Sequence, residues 1–258
     1  MITRGRRPVL GVAGVAGVLV LTEIAGRAGL VDPGVLPYTS DVLAAAAGLA
    51  GDSGFHAQVL ATLGACAAGL LIAIALAVPA GLLLGTVPVV ERSARPLVEF
   101  LRPIPSVSLI PLAMFLFPDS ADAKTSLIVY TCCWPLLVNT MYGLADVDPQ
   151  AKETLRSFGF GPLAVVLRVS LPSAAPFVAT GVRISVGVTL IVAVSVELIA
   201  GGDGIGTFLL QAGTANHVDR VLAGTLWAGL LGLAANLMVT SAERRLFRWH
   251  HARAEVAA

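Results

Sequence analysis

Asp146 to Pro172 reads DVDPQAKETLRSFGFGPLAVVLRVSLP, and how this stretch is understood decides the fold. It is a polar, amphipathic run of 27 residues set between segments oily enough to cross a bilayer. Connections in compact domains are usually much shorter, so a stretch of this length needs a reason. Two helical segments lie inside it, Pro149 to Phe158 and Pro162 to Leu171, each opened by a proline where a helix tolerates one. Between them, Ser157-Phe158-Gly159-Phe160-Gly161 sets two aromatics among glycines, with no local core to cover them. Exposed apolar side chains on a helical elbow fit a docking surface for a soluble partner. They also fit a cytoplasmic hairpin lying on the chain's own membrane helices. Taken by themselves, these residues leave both readings open.

The composition around the elbow fixes the broad class. Of 258 residues, 56% are hydrophobic and only 13% charged, with a mean hydropathy of +0.85. Soluble domains carry about a quarter charged residues, so a polytopic membrane protein is expected, in one domain over 1–258. A net charge of +1 points to no polyanion, and no nucleic-acid partner is expected. Cys66, Cys132 and Cys133 fall in apolar segments and imply no disulfide framework. His56, His217, His250 and His251 lack ligand spacing with cysteines or carboxylates, so no metal site is expected.

Hydropathy places spans at about residues 8–30, 59–87, 103–117, 125–144, 174–200 and 221–240. The basic start (Arg4, Arg6, Arg7) and the apolar run after it fit a signal peptide, but the run is long enough to span and further spans follow. It therefore reads as an uncleaved first helix, in which Glu23 and Arg27 are spaced to pair. Glu91 to Arg102 reads as an amphipathic helix. It enters Pro103–Phe117, a segment short for a span and broken by prolines. This is either unwound backbone lining a pathway or a tilted helix. Pro118 to Lys124 reads as a tight polar turn. Of the seventeen Lys and Arg, only Arg27, Lys124 and Arg220 fall on the face opposite the elbow. The other fourteen mark the cytoplasmic side, so the elbow, both termini and the interfacial Trp249 are expected there.

No G-x-x-x-x-G-K-[ST] occurs, so ATP binding through a P-loop is excluded. Polar residues within the spans are the candidates for a solute pathway: Ser106, Ser108, Asn139, Ser185, Thr189 and Glu197. The competing readings are hydroxyls bonded back to their own helix and, for Glu197, a position at the membrane interface, gating or pairing rather than binding solute.

Glu153-Thr154-Leu155, Gly159 and Val169-Ser170-Leu171-Pro172 together resemble the EAA loop of bacterial ABC importer permeases, E-A-A-x3-G-x9-I-x-L-P. Glu, Gly, Leu and Pro fall in register, while Thr154, Leu155 and Val169 replace the two alanines and the isoleucine. Arg102–Pro111, RPIPSVSLIP, resembles the matching run of the sulfonate, taurine and nitrate branch, although Leu116-Phe117-Pro118 replaces the usual Trp-Phe-Gly. The resemblance implies an all-α integral membrane protein with six transmembrane helices, the ABC type I importer permease (MetI-like) fold and a cytoplasmic coupling helix. By the same resemblance, Glu153, Ser157, Phe158, Gly159, Phe160, Gly161, Leu171 and Pro172 would couple to an ATPase. It implies no cofactor in this chain, ATP and magnesium being held by two separate ATPase subunits. Further partners would be a second, identical permease copy, an extracytoplasmic binding protein or lipoprotein, and the lipid of a bacterial cytoplasmic membrane. The cargo would be a small anion such as a sulfonate, taurine or nitrate, though some relatives of the branch carry thiamine-precursor pyrimidines. The alternatives are a self-sufficient secondary carrier, which would need inverted repeats and mid-membrane charges, and an intramembrane enzyme, which would need a nucleophile–base pair or metal cluster. The sequence displays neither set of features.

Overall fold

The computed structural model describes residues 6–246, and over that range the chain is helical with no strand. Trp249, His250, His251 and the first five residues, Arg4 among them, lie outside the described residues. Eleven α-helices follow in order: α1 (Arg6–Arg27), α2 (Thr39–Leu49), α3 (Ser53–Thr86), α4 (Pro88–Leu101), α5 (Ile110–Leu116), α6 (Ser120–Ala145), α7 (Pro149–Ser157), α8 (Pro162–Val165), α9 (Leu171–Ala200), α10 (Ile205–Thr214) and α11 (Val218–Leu246). A 3-10 turn (Ser106–Leu109) leads into α5, and a π turn (Val166–Ser170) joins α8 to α9.

Among the described residues, four stretches are long and apolar enough to cross a bilayer: α3, α6, the continuous Pro162–Ala200 helix and α11. α4 and the Ser106–Leu116 segment make a further candidate, bent by 83° where Pro103 and Pro105 interrupt the helix. Several expected boundaries move. The second apolar helix begins at Ser53 rather than about 59, because the Asp52 carboxylate accepts from the Gly54 and Phe55 amides at 2.8 and 3.2 Å. The expected turn at Pro118–Lys124 is already helix from Ser120, started by Asp119 accepting from the Ala121 amide. The apolar helix expected from about residue 174 instead runs unbroken from Pro162, so Leu171 and Pro172 belong to a membrane-length helix and not to a loop.

α6 is the centre of the molecule. Its buried face (Leu127, Ile128, Cys132, Leu136, Leu137, Thr140, Leu144) is covered by α3 on one side and α9 on the other. Small residues let both neighbours approach closely. A Cβ on Gly69 would meet Ile128 at 2.6 Å, one on Gly81 would meet Thr140 at 2.7 Å, and one on Gly181 would meet the Pro135 carbonyl at 3.1 Å. A second cluster ties α2 and α3 to α10 and α11: Phe55 stacks edge-on against Phe208, and Trp227 donates to the Ala46 carbonyl at 2.9 Å. α1 touches the rest of the chain chiefly near its end. Arg27 and Glu23 pair at 2.7 Å as expected, and the Thr22 and Thr39 hydroxyls bond at 2.9 Å. Nothing lies within 4 Å of a Cβ placed on Gly11, Gly14 or Gly17, so the close approach these glycines permit is not used by any helix among the described residues.

Candidate functional site

The elbow builds from its caps. The Asp148 carboxylate accepts from the Gln150 amide at 2.8 Å and Pro149 follows, so α7 starts where the chain leaves α6. Lys152 reaches back to the Leu144 carbonyl at 3.3 Å, placing a cation at the C-terminus of α6. α7 ends in a Schellman turn: the Gly159 amide donates to the Arg156 carbonyl and the Phe160 amide to the Leu155 carbonyl. Gly159 takes φ +84° there, which only glycine adopts at no cost, although a Cβ would meet no atom. The turn leaves Phe158 76% exposed, with Leu163 and Leu167 exposed beside it. Phe160 lies under the Arg168 guanidinium, 4.9 Å from ring centre to Cζ. Glu153, Ser157, Gly161 and Pro172 are also exposed, while Leu171 is half-buried and the neighbouring Ser170 is buried in the π turn. The eight candidate coupling residues therefore divide. Six form one apolar-polar surface from 153 to 161, whereas Leu171 and Pro172 sit past the π turn at the head of α9.

The candidate pathway residues are not brought together. Ser108 bonds back to the Pro105 carbonyl at 2.6 Å and Asn139 to the Pro135 carbonyl at 2.8 Å, and Ser106 is half-buried. Ser185 is fully buried, donating to the Cys132 carbonyl of α6 at 3.4 Å, and the buried Thr189 bonds to the Val186 carbonyl.

Glu197 is fully buried and ion-paired, pairing being one of the alternatives to solute binding that its position allowed. Its partner is Lys124, itself buried, with Nζ 2.9 Å from Oε1. Thr62 of α3 donates to the same carboxylate, and the Gly206 amide at the start of α10 donates to Oε2 at 2.9 Å. Lys124 also donates to the Asp203 carbonyl at 2.8 Å, Thr62 accepts from the Ile205 amide at 2.9 Å, and Gln58 accepts from the Gly204 amide. The backbone of Gly201–Gly206 wraps the carboxylate so closely that a Cβ on Gly204 would collide with it. Gly201, Gly202 and Gly204 all take positive φ in making that wrap. Both buried charges and the Gly204, Ile205 and Gly206 amides have partners, the condition under which a buried ion pair is tolerated.

Residues 69–248 match the family described as the binding-protein-dependent transport system inner membrane component. The chain belongs to that family. This makes it a permease component of an ABC importer and a multi-pass membrane protein, a transporter subunit rather than an enzyme. The permease is similar to the nitrate import permease protein NrtB of Leptolyngbya laminosa, 29% identical over 188 residues, 73% of this chain and 67% of that one. It is also similar to the bicarbonate transport system permease protein CmpB of a Synechocystis strain, 28% identical over 183 residues, 70% of this chain and 65% of that one. It therefore spans about two thirds of the length of these relatives. A probable ABC transporter permease protein of Brucella melitensis biotype 1 is 30% identical over 215 residues, 83% of this chain and 87% of that one. In fold, the permease is similar to a chain of the inward-facing MetNI methionine ABC transporter, with a TM-score of 0.62 and 18% identity over 74% of this chain and 93% of that one. It is also similar to a chain of a bacterial alginate importer, with a TM-score of 0.66 and 15% identity over 94% of this chain and 97% of that one.

Sequence reading missed Gln58, Thr62 and Lys124 as site residues. Lys124 read as a turn residue, and Gln58 and Thr62 carried no signal of their own. The glycine-rich run directly after Glu197 was the one visible hint that the backbone closes around something there.

Proposed function

We propose that this permease crosses a bacterial cytoplasmic membrane six times, with α1 as the first span and the bent α4–α5 unit supplying the third. Two copies form the translocation pathway, two ATPase subunits dock at the elbows, and an extracytoplasmic binding protein delivers the solute. Both termini and the elbow are cytoplasmic. The observation that carries this reading is the elbow itself: a capped helix closed at Gly159, presenting Phe158 and Leu163 to the exterior between two membrane-length helices. An exposed aromatic on a rigid turn is an anchor for a partner's groove. Binding and closure of ATP on the partner would draw the two elbows together and move the helices joined to them.

A small inorganic anion is the proposed cargo, nitrate or bicarbonate before sulfonate. The support is the similarity to the nitrate and bicarbonate permeases. The route lies along surfaces that a second copy would close over, with Ser106, Ser108 and Asn139 near it. Ser185 and Thr189 support the helix packing behind it.

Mass spectrometry of what co-purifies with a tagged copy in mild detergent tests the coupling role. With Gly159→Asn, which tolerates positive φ, the ATPase stays associated; with Gly159→Val it is lost about tenfold or more. Equal recovery with both variants, at equal membrane insertion, would overturn elbow docking.

A further inference from the structure

We infer that Lys124 and Glu197 are a positioning pair that fixes the Gly201–Gly206 turn and the head of α10 onto the ends of α3 and α6, so that these elements move as one body during transport. The inference rests on the importer reading for what moves, and on geometry for what is held. The pair lies at the end of the α3–α6–α9 slab remote from the elbow, about one helical turn beyond the Gly69–Ile128 contact.

Four elements meet on one carboxylate. α9 carries Glu197, α6 brings Lys124, α3 brings Thr62, and α10 offers the Gly206 amide. The turn itself has few means of holding its shape. Gly201, Gly202 and Gly204 are left-handed or extended beyond what other residues adopt, and Gly202 and Asp203 are exposed. A glycine run of this kind is intrinsically loose. Beside the close packing of Gly206 on the Val194 carbonyl of α9, what restrains it is the set of bonds from fixed helices to its backbone: Lys124 on the Asp203 carbonyl, Gln58 on the Gly204 amide, Thr62 on the Ile205 amide and Glu197 on the Gly206 amide. Four consecutive backbone groups are thus held by three different helices. Neither Lys124 nor Glu197 is placed to touch solute, since both are buried among these partners.

The test is the distance between spin labels at Asp203→Cys, on the turn, and Tyr142→Cys, exposed near the elbow end of α6. It uses spin-diluted full-length permease with Cys66, Cys132 and Cys133 changed to alanine, free and assembled with the ATPase that co-purifies. In the otherwise native chain one narrow distance is expected, shifting by less than about 3 Å when the complex is trapped with ATP and vanadate. K124M/E197L removes the pair without stranding a charge. In that variant the distribution roughly doubles in width while basal ATP hydrolysis stays within about twofold. Thr62→Val, which removes one donor and one acceptor and no charge, falls between and carries the test should the double variant fail to assemble. A shift larger than that bound in the native chain, or variant distributions as narrow as the native one, overturns the proposal. Absence of a co-purifying ATPase counts against the importer reading instead, and the widths measured in the free permease then still decide whether the pair holds the turn.

Discussion

A lysine and a glutamate inside apolar helices are stable only together. Removing one partner of a buried pair leaves the other uncompensated, at a cost of roughly 3–5 kcal/mol, whereas removing both is often neutral. Lys124→Met alone therefore lowers the midpoint of thermal unfolding in detergent sharply, and adding Glu197→Leu restores most of the loss. A single variant as stable as the native chain would show that the pair contributes nothing to folding. The sequence displayed both residues but not their meeting. Glu197 stood out as a carboxylate in an apolar run, but Lys124 sat beside Asp119, Asp122 and a proline, where polarity reads as a turn. Seventy-three positions separate the two, and a pairing that long is a property of helix packing rather than of spacing. Gly159 was legible for the opposite reason. Its requirement for positive φ is local, set by the Schellman turn that ends α7, and local requirements survive in one sequence.

Among the elements, α7 came out within a residue of its expected end because a proline and an aspartate mark its start and a glycine its close. The early starts of α3 and α6 had the same signal in Asp52 and Asp119, outweighed by the polar residues that follow each cap. The π turn had none. It inserts one extra residue between the elbow and α9, and such turns arise from packing rather than composition. That residue is taken up in one wide turn, so the helices on either side stay nearly in phase. Inserting one alanine after Ser173, in the regular helix of α9, would swing α8 and α7 by about 100° around the axis of α9. Membrane insertion is then retained while co-purifying ATPase falls about tenfold, a result read by quantitative blotting of the membrane fraction beside the purified complex. Undiminished association would show that the elbow's orientation is set elsewhere.

For the whole molecule, hydropathy located the four helices long and apolar enough to cross a bilayer, and the expectation of a cytoplasmic elbow rests on fourteen of seventeen basic residues falling on one side. The orientation is directly testable. A membrane-impermeant maleimide should label Phe158→Cys only in inside-out vesicles and Asp203→Cys only in intact spheroplasts. The reverse pattern would refute the assigned topology, and with it the docking role of the elbow. Hydropathy does not reveal which helix sits in the middle. That place belongs to α6, whose flanking helices turn glycines toward it at Gly69, Gly81 and Gly181, and a glycine's use depends on what lies opposite.

The separation of Lys124 from Glu197 also bears on how the protein is made. Chains grow at about 5–20 residues per second, so roughly 4–15 s pass between synthesis of the lysine and synthesis of its counter-charge. For that interval α6 has a cation near one end and no partner for it. The newly made helix must wait with that end in headgroups or water, or in the care of the insertion machinery, until α9 and the glycine turn arrive. Biogenesis of this permease therefore has a late step, the closing of this pair, that cannot precede the synthesis of α9.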